Sequence, residues 1–139
     1  MIALDTNVLA RAIVVQSDAD AATQAQQRDA RALLGSGSDL FVPVTVVQEL
    51  EWVLRSAYDM PTGDIADLFR DLLCVENITV DRAAAVGQAI DGYQRGLDFS
   101  DALHLALSAA CERLASFDSG FIKKSRRMGL KPAVEPPTA

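Results

Sequence analysis

The chain has 139 residues, half of them hydrophobic and 23% charged, enough for one domain with a real core and too few for two. No apolar run approaches the roughly 18 residues of a membrane span, and the N-terminus Met1-Ile2-Ala3-Leu4-Asp5 lacks the basic region of a secretory signal, so a cytoplasmic protein is expected. The net charge of −6 argues against a polyanionic partner until its distribution is read: residues 119–139 carry five bases against one acid, a local +4, which leaves −10 on the rest.

Short apolar runs alternate with amphipathic helical stretches, the pattern of an α/β fold with a mainly parallel sheet. Residues 2–4 read as a first strand, expected at the centre of the sheet, and Asn7 onward as a helix capped by Thr6 or Asn7. Residues 19–34 form a second helix closed by Gly35-Ser36-Gly37, and residues 40–42 a second strand stopped by Pro43. From 45 to 58, Val46, Val47, Leu50, Val53, Leu54 and Ala57 keep the spacing of a buried helical stripe. Another helix starts at Pro61 and runs through Leu72. A third strand at 78–80 leads to Asp81, expected to cap a helix over 82–95 that Gly96 ends. Residues 101–112 read as helix, 114–117 as a fourth strand, 121–128 as a basic helix, and 131–134 as a possible edge strand. The expectation is a single domain over 1–135 with a flexible end at 136–139. Cys74 and Cys111 stand far apart in apolar helical stretches, outside any metal-ligand spacing, and are expected as buried free thiols.

Five acids fall where strands give way to helices, or on a helix face beside such a point: Asp5, Glu49, Asp98, Asp101 and Asp118. In open α/β sheets, sites form beyond the carboxyl ends of strands. Carboxylates repel one another, so gathering them there calls for a cation, and a hard divalent ion takes oxygen ligands of this kind. Glu51 rivals Glu49, but two positions on is about 200° around a helix, so both cannot face one site. Most other acids read as solvated helix faces.

At these residues the chain resembles PIN-domain ribonucleases, in particular VapC-type toxins of bacterial toxin–antitoxin pairs. The likeness rests on Leu4-Asp5-Thr6-Asn7-Val8-Leu9, on Glu49-Leu50 with Trp52-Val53-Leu54, on Asp98-Phe99-Ser100-Asp101-Ala102-Leu103-His104-Leu105-Ala106, and on Ser116-Phe117-Asp118 with Phe121. It spans residues 2 to about 134, and the four segments in order are far more specific than any one. It implies a PIN-like three-layer fold with a central, mainly parallel sheet of four to five strands flanked by helices. It also implies an acidic quartet of Asp5, Glu49, Asp101 and Asp118, with Asp98 auxiliary and Thr6, Asn7 and Ser116 orienting the acids or bound water. Asp5, Asp101 and Asp118 would ligate Mg²⁺ or Mn²⁺, one ion or two, and Glu49 would ligate or orient the attacking water. Hydrolysis of an RNA phosphodiester would leave a 5′-phosphate and a 3′-hydroxyl. A cognate antitoxin and a homodimer are the implied partners. Trp52, Phe41, Val53 and the Ala-rich second helix could offer the antitoxin a groove, although core packing explains each more simply.

Rival chemistries find little in the sequence. His104 is the only histidine, so a two-histidine cleavage lacks a partner, and its place near Leu103 and Leu107 suggests a packed ring. Ser100 and Ser116 have no base at recognisable spacing, and Gly35-Ser36-Gly37 lacks the lysine of a phosphate loop. A phosphoacceptor receiver would need a lysine just after the last strand, where none occurs before Lys123. A PIN-fold module that binds RNA or protein without cutting stays open. Candidate phosphate contacts are Lys123, Lys124, Arg126 and Arg127, with Arg11 and Arg55.

Overall fold

A computed structural model describes residues 1–138, in two compact units of residues 1–83 and 84–139. In the first, β1 (Ile2–Ala3), β2 (Leu40–Val42) and β3 (Ile78–Val80) form a parallel sheet in the order β1-β2-β3. Parallel neighbours need long crossovers. Helices α1 (Thr6–Ile13) and α2 (Ala21–Leu34) fill the first, and α3 (Val44–Ser56) and α4 (Thr62–Cys74) the second. Burial alternates along the strands: Leu40, Val42, Ile78 and Val80 are buried, whereas Phe41 is half-buried and Thr79 exposed. The core continues through Leu9 of α1, Val47, Leu50 and Leu54 of α3, and Ile65 and Phe69 of α4. These follow helical spacing, as expected for stripes that bury one face.

The second unit holds α5 (Ala83–Gln94), α6 (Phe99–Leu107), β4 (Arg113–Ala115), α7 (Ser119–Arg127) and β5 (Ala133–Glu135), with α5 starting at the boundary. Strands β4 and β5 pair in parallel, Arg113 with Ala133 and Leu114 with Val134. The α5–α6 turn needs Gly96, whose φ of +105° is left-handed space that favours glycine. Beyond it Phe99 is buried edge-on against Tyr93, with ring centroids 5.2 Å apart and planes at 79°. Arg95 donates to the carbonyl of Met128 (3.3 Å), and Lys124 Nζ to the carbonyl of Gly96 (3.2 Å), so α7 is tied to this turn.

The α/β class, the helices and the parallel pairing match expectation: the five described strands all pair in parallel, three in one small sheet and two in another. Several local expectations do not hold. Strand β1 is an outer strand of its sheet rather than central; its two residues are held by β2, with Ile2 N–H donating to Asp39 O and Leu4 N–H to Phe41 O. Asp5, not Thr6 or Asn7, caps α1. Asp81 accepts from Val44 N–H (3.4 Å) instead of capping α5, because Arg82 turns the chain at a φ of +54°. Cys74 and Cys111 are exposed, not buried: one is the last residue of α4, and α6 ends at Leu107, leaving the other in a turn. The flexible end expected at 136–139 is a separate matter: Thr138 N–H donates to Pro136 O and Thr138 O accepts from Arg113, and residue 139 lies outside the described residues. No helix among the described residues is long and apolar enough to cross a membrane.

Candidate metal-dependent nuclease site

In the first unit, Asp5 follows β1 directly and is the N-cap of α1. Its extended backbone lets Oδ1 accept from Thr6 N–H (2.8 Å) while its carbonyl accepts from Val8 and Leu9, meeting donors that a helix start leaves open. The carboxylate itself is exposed. Thr6, next in sequence, is only 2% exposed, and its Oγ1 is buried without a hydrogen-bond partner among the described residues. Asn7 is exposed and lines a groove of about 470 Å³ between α1 and α2, with Val8, Arg11, Gln26, Asp29 and Leu33. Arg11 is half-buried; its Nε donates to Gln26 (3.0 Å) and a terminal nitrogen to Tyr58 Oη (2.8 Å).

Helix α3 separates the two rival glutamates. Glu49 is exposed, whereas Glu51 is 3% exposed and accepts from Arg55 Nε at 2.8 Å, one turn on. Glu51 thus belongs to the packing, held by an exposed Arg55, and Glu49 is the exposed acid of this helix. Glu51→Ala is expected to cost about 1.5–3 kcal/mol, the range for a hydrogen bond to a charged group. Glu49→Ala should leave the urea midpoint unchanged and act on cleavage alone. A reversed pattern in urea denaturation would make Glu51 the functional acid. Trp52, on the same helix, is 60% exposed, so the expected core packing does not apply to it.

The second unit brings three of the candidate acids into electrostatic range of one another. Asp98 caps α6 and accepts from Asp101 N–H (3.1 Å), so the acid ranked as auxiliary fixes the first turn carrying Asp101. Asp118 caps α7: its Oδ1 accepts from Phe121 N–H (3.1 Å), and its own N–H donates to Ser116 Oγ (3.0 Å), which gives Ser116 its orienting contact. Burial first, then the charges of Asp98 and Asp118, push the Asp101 carboxyl up from its ordinary value, opposed by His104 and Lys124. His104 is exposed rather than packed, because it lies three residues after Asp101 on the polar side of α6, while Leu103 and Leu105 turn inward. Lys124 reaches Gly96 on the same side of the turn, a contact that sequence spacing could not reveal.

The raised Asp101 has a consequence for folding in the absence of divalent ions. Between its unfolded and its higher folded ionisation range, the native chain binds more protons than the unfolded one. Stability therefore falls as pH rises through that window and the penalty stays constant above it. Asp101→Asn, free of the penalty, should gain on wild type from acid toward neutral pH when both are unfolded in urea with EDTA. A difference that does not change with pH would remove like-charge crowding from the site.

Among the described residues, no three His, Cys, Asp or Glu side chains stand close enough to hold an ion by themselves. The donors nevertheless suit a hard divalent cation in kind: they are oxygens, and Mg²⁺ takes only one or two carboxylates beside its waters. Within the second unit, Asp101 is raised above its ordinary value beside Asp98 and Asp118; within the first, the Thr6 hydroxyl directly after Asp5 is unsatisfied.

The chain belongs to the PIN domain family, whose model matches residues 2–127. That span includes Asp5, Glu49, Asp98, Asp101 and Asp118 and crosses both units. PIN domains are typically Mg²⁺-dependent nucleases. No curated protein and no solved structure matches the chain significantly.

Proposed function

We propose that this PIN-domain protein is a Mg²⁺- or Mn²⁺-dependent endoribonuclease of the VapC toxin type, cytoplasmic and neutralised by a cognate antitoxin. The observation that carries it is Asp101 in the first turn of α6, within electrostatic range of Asp98 and Asp118, the N-caps of α6 and α7. Asp5, Asp101 and Asp118 would hold the ion, and Glu49 would ligate it or orient the water. Bound there, a divalent ion supplies Lewis acidity toward water and phosphate and offsets the charge of the scissile group. The chain's own part is positional. Asp98 sets the turn of Asp101, Ser116 sets the turn of Asp118, and Thr6 offers a free hydroxyl beside Asp5. Lys123, Lys124, Arg126 and Arg127 give α7 a basic last half for RNA phosphates. Arg11 keeps guanidinium donors beyond those used by Tyr58 and Gln26.

A single PIN domain over residues 1–135 that pairs as a homodimer completes this reading. The antitoxin, as a polyatomic competitor for the same carboxylates, would present a cationic side chain to them. The test is RNA cleavage by the purified chain: activity with Mn²⁺ or Mg²⁺, loss with EDTA and return on adding the ion. The second reading is a PIN-fold module that binds RNA or protein without cutting it. Metal-independent RNA binding with no cleavage under any divalent ion would establish that reading instead.

A further inference from the structure

Phe117 is the most exposed large hydrophobic side chain of the described residues, at 88%, and it sits immediately before Asp118. Its backbone is held on both sides. Ser116 N–H donates to Glu135 O (2.9 Å), Asp118 N–H donates to Ser116 Oγ (3.0 Å), and Asp118 then caps α7. A phenyl ring on a pinned backbone loses little entropy when something covers it, and leaving it in water forfeits a large hydrophobic gain. The helix that begins two residues later carries Lys123, Lys124, Arg126 and Arg127, all exposed. At about 1.5 Å of rise per residue these bases lie within roughly 14 Å of the ring's end of the helix. An apolar cover alone would leave them unmatched, whereas a polyanion with flat, stackable faces satisfies ring and bases together.

We infer that Phe117 is a stacking platform for an unpaired nucleobase of single-stranded RNA, with the adjoining phosphates on the basic half of α7. The inference deepens the nuclease reading and rests on it for the identity of the polymer. Stacking is tolerant of base identity, so Phe117 would set strandedness and register beside Asp118 rather than sequence.

The probe is a short fluorescein-labelled single-stranded RNA, titrated by anisotropy in EDTA so that it stays intact. Phe117→Ala and Phe117→Leu should weaken binding about 5- to 150-fold, the range for removing one base–aromatic stack. Phe117→Tyr and Phe117→Trp should bind as wild type, since an aromatic face is what the site needs. An abasic ribose-phosphate strand should bind wild type and Phe117→Ala alike, because only the phosphate contacts remain. Equal binding of the normal RNA by wild type and Phe117→Ala overturns the platform, as does an equal loss on the abasic strand. No binding by the wild type overturns it too. So does a change of oligomeric state in Phe117→Ala by sedimentation, which would make the ring a protein contact. Cleavage with Mn²⁺ is scored separately: a wild type that cuts while Phe117→Ala binds normally sinks the platform and spares the nuclease. A wild type that binds through Phe117 but never cuts does the opposite.

Discussion

Asp101→Asn should lower metal-dependent RNA cleavage by at least about 10²-fold, the scale for losing one preorganised electrostatic contact at a reacting centre. Asparagine keeps the size of the side chain and leaves the Asp98 cap on its backbone N–H untouched, so the loss falls on chemistry and not on folding. The folded state should be at least as stable as wild type without divalent ions, because the anion crowded by Asp98 and Asp118 is gone. Asp98→Asn is the matched control. Asparagine caps helices about as well as aspartate, so the α6 turn should persist and the drop in cleavage should be much smaller. Steady-state cleavage of one RNA by the three proteins decides the matter. A rate for Asp101→Asn within a factor of two or so of wild type would remove Asp101 from the proposed mechanism.

Phe99→Ala is expected to destabilise the chain by about 3–5 kcal/mol, the usual cost of truncating a fully buried phenylalanine. The ring is nearly inaccessible and meets Tyr93 edge-on, and it lies between Asp98 and Asp101 in sequence. Against a typical stability of about 5–15 kcal/mol, that loss consumes a large share. Phe99→Leu keeps most of the apolar volume and should cost far less. Urea denaturation gives the difference. Because α6 presents Asp101 from the opposite side of the same turn, Phe99→Ala should also weaken cleavage at temperatures where the protein is still folded. A loss below about 1 kcal/mol would mean that residues 84–139 do not keep their core around this ring.

Which parts of the site could be read from the chain follows from the range of the forces involved. The positions of Asp5, Asp98 and Asp118 at helix starts were legible because capping is local: a carboxylate meets an N–H one to three residues on. The same locality misassigned the cap of α1 by one or two residues, since Asp5, Thr6 and Asn7 are all competent caps. The burial stripe of α3 was legible at Val46, Val47, Leu50 and Leu54 because helical spacing dictates which positions share a face, whereas Ala57, expected in the same stripe, lies exposed just past the end of the helix. His104 was misread because a hydrophobic neighbourhood in sequence is not one in space.

The sequence by itself determined the α/β alternation, the helix-start acids and the membership of the PIN domain family, because periodicity, capping and an ordered motif all reside in short stretches of chain. Tertiary structure alone decided that Glu51 turns inward to Arg55 while Glu49 faces water, that Lys124 is drawn to Gly96, and that Phe117 is left uncovered. It also decided that the Asp101 carboxyl is raised above its ordinary value, by burial and by the charges of Asp98 and an Asp118 seventeen residues along the chain. Burial and Coulomb repulsion depend on distance through space, and folding sets that distance between residues remote in the chain.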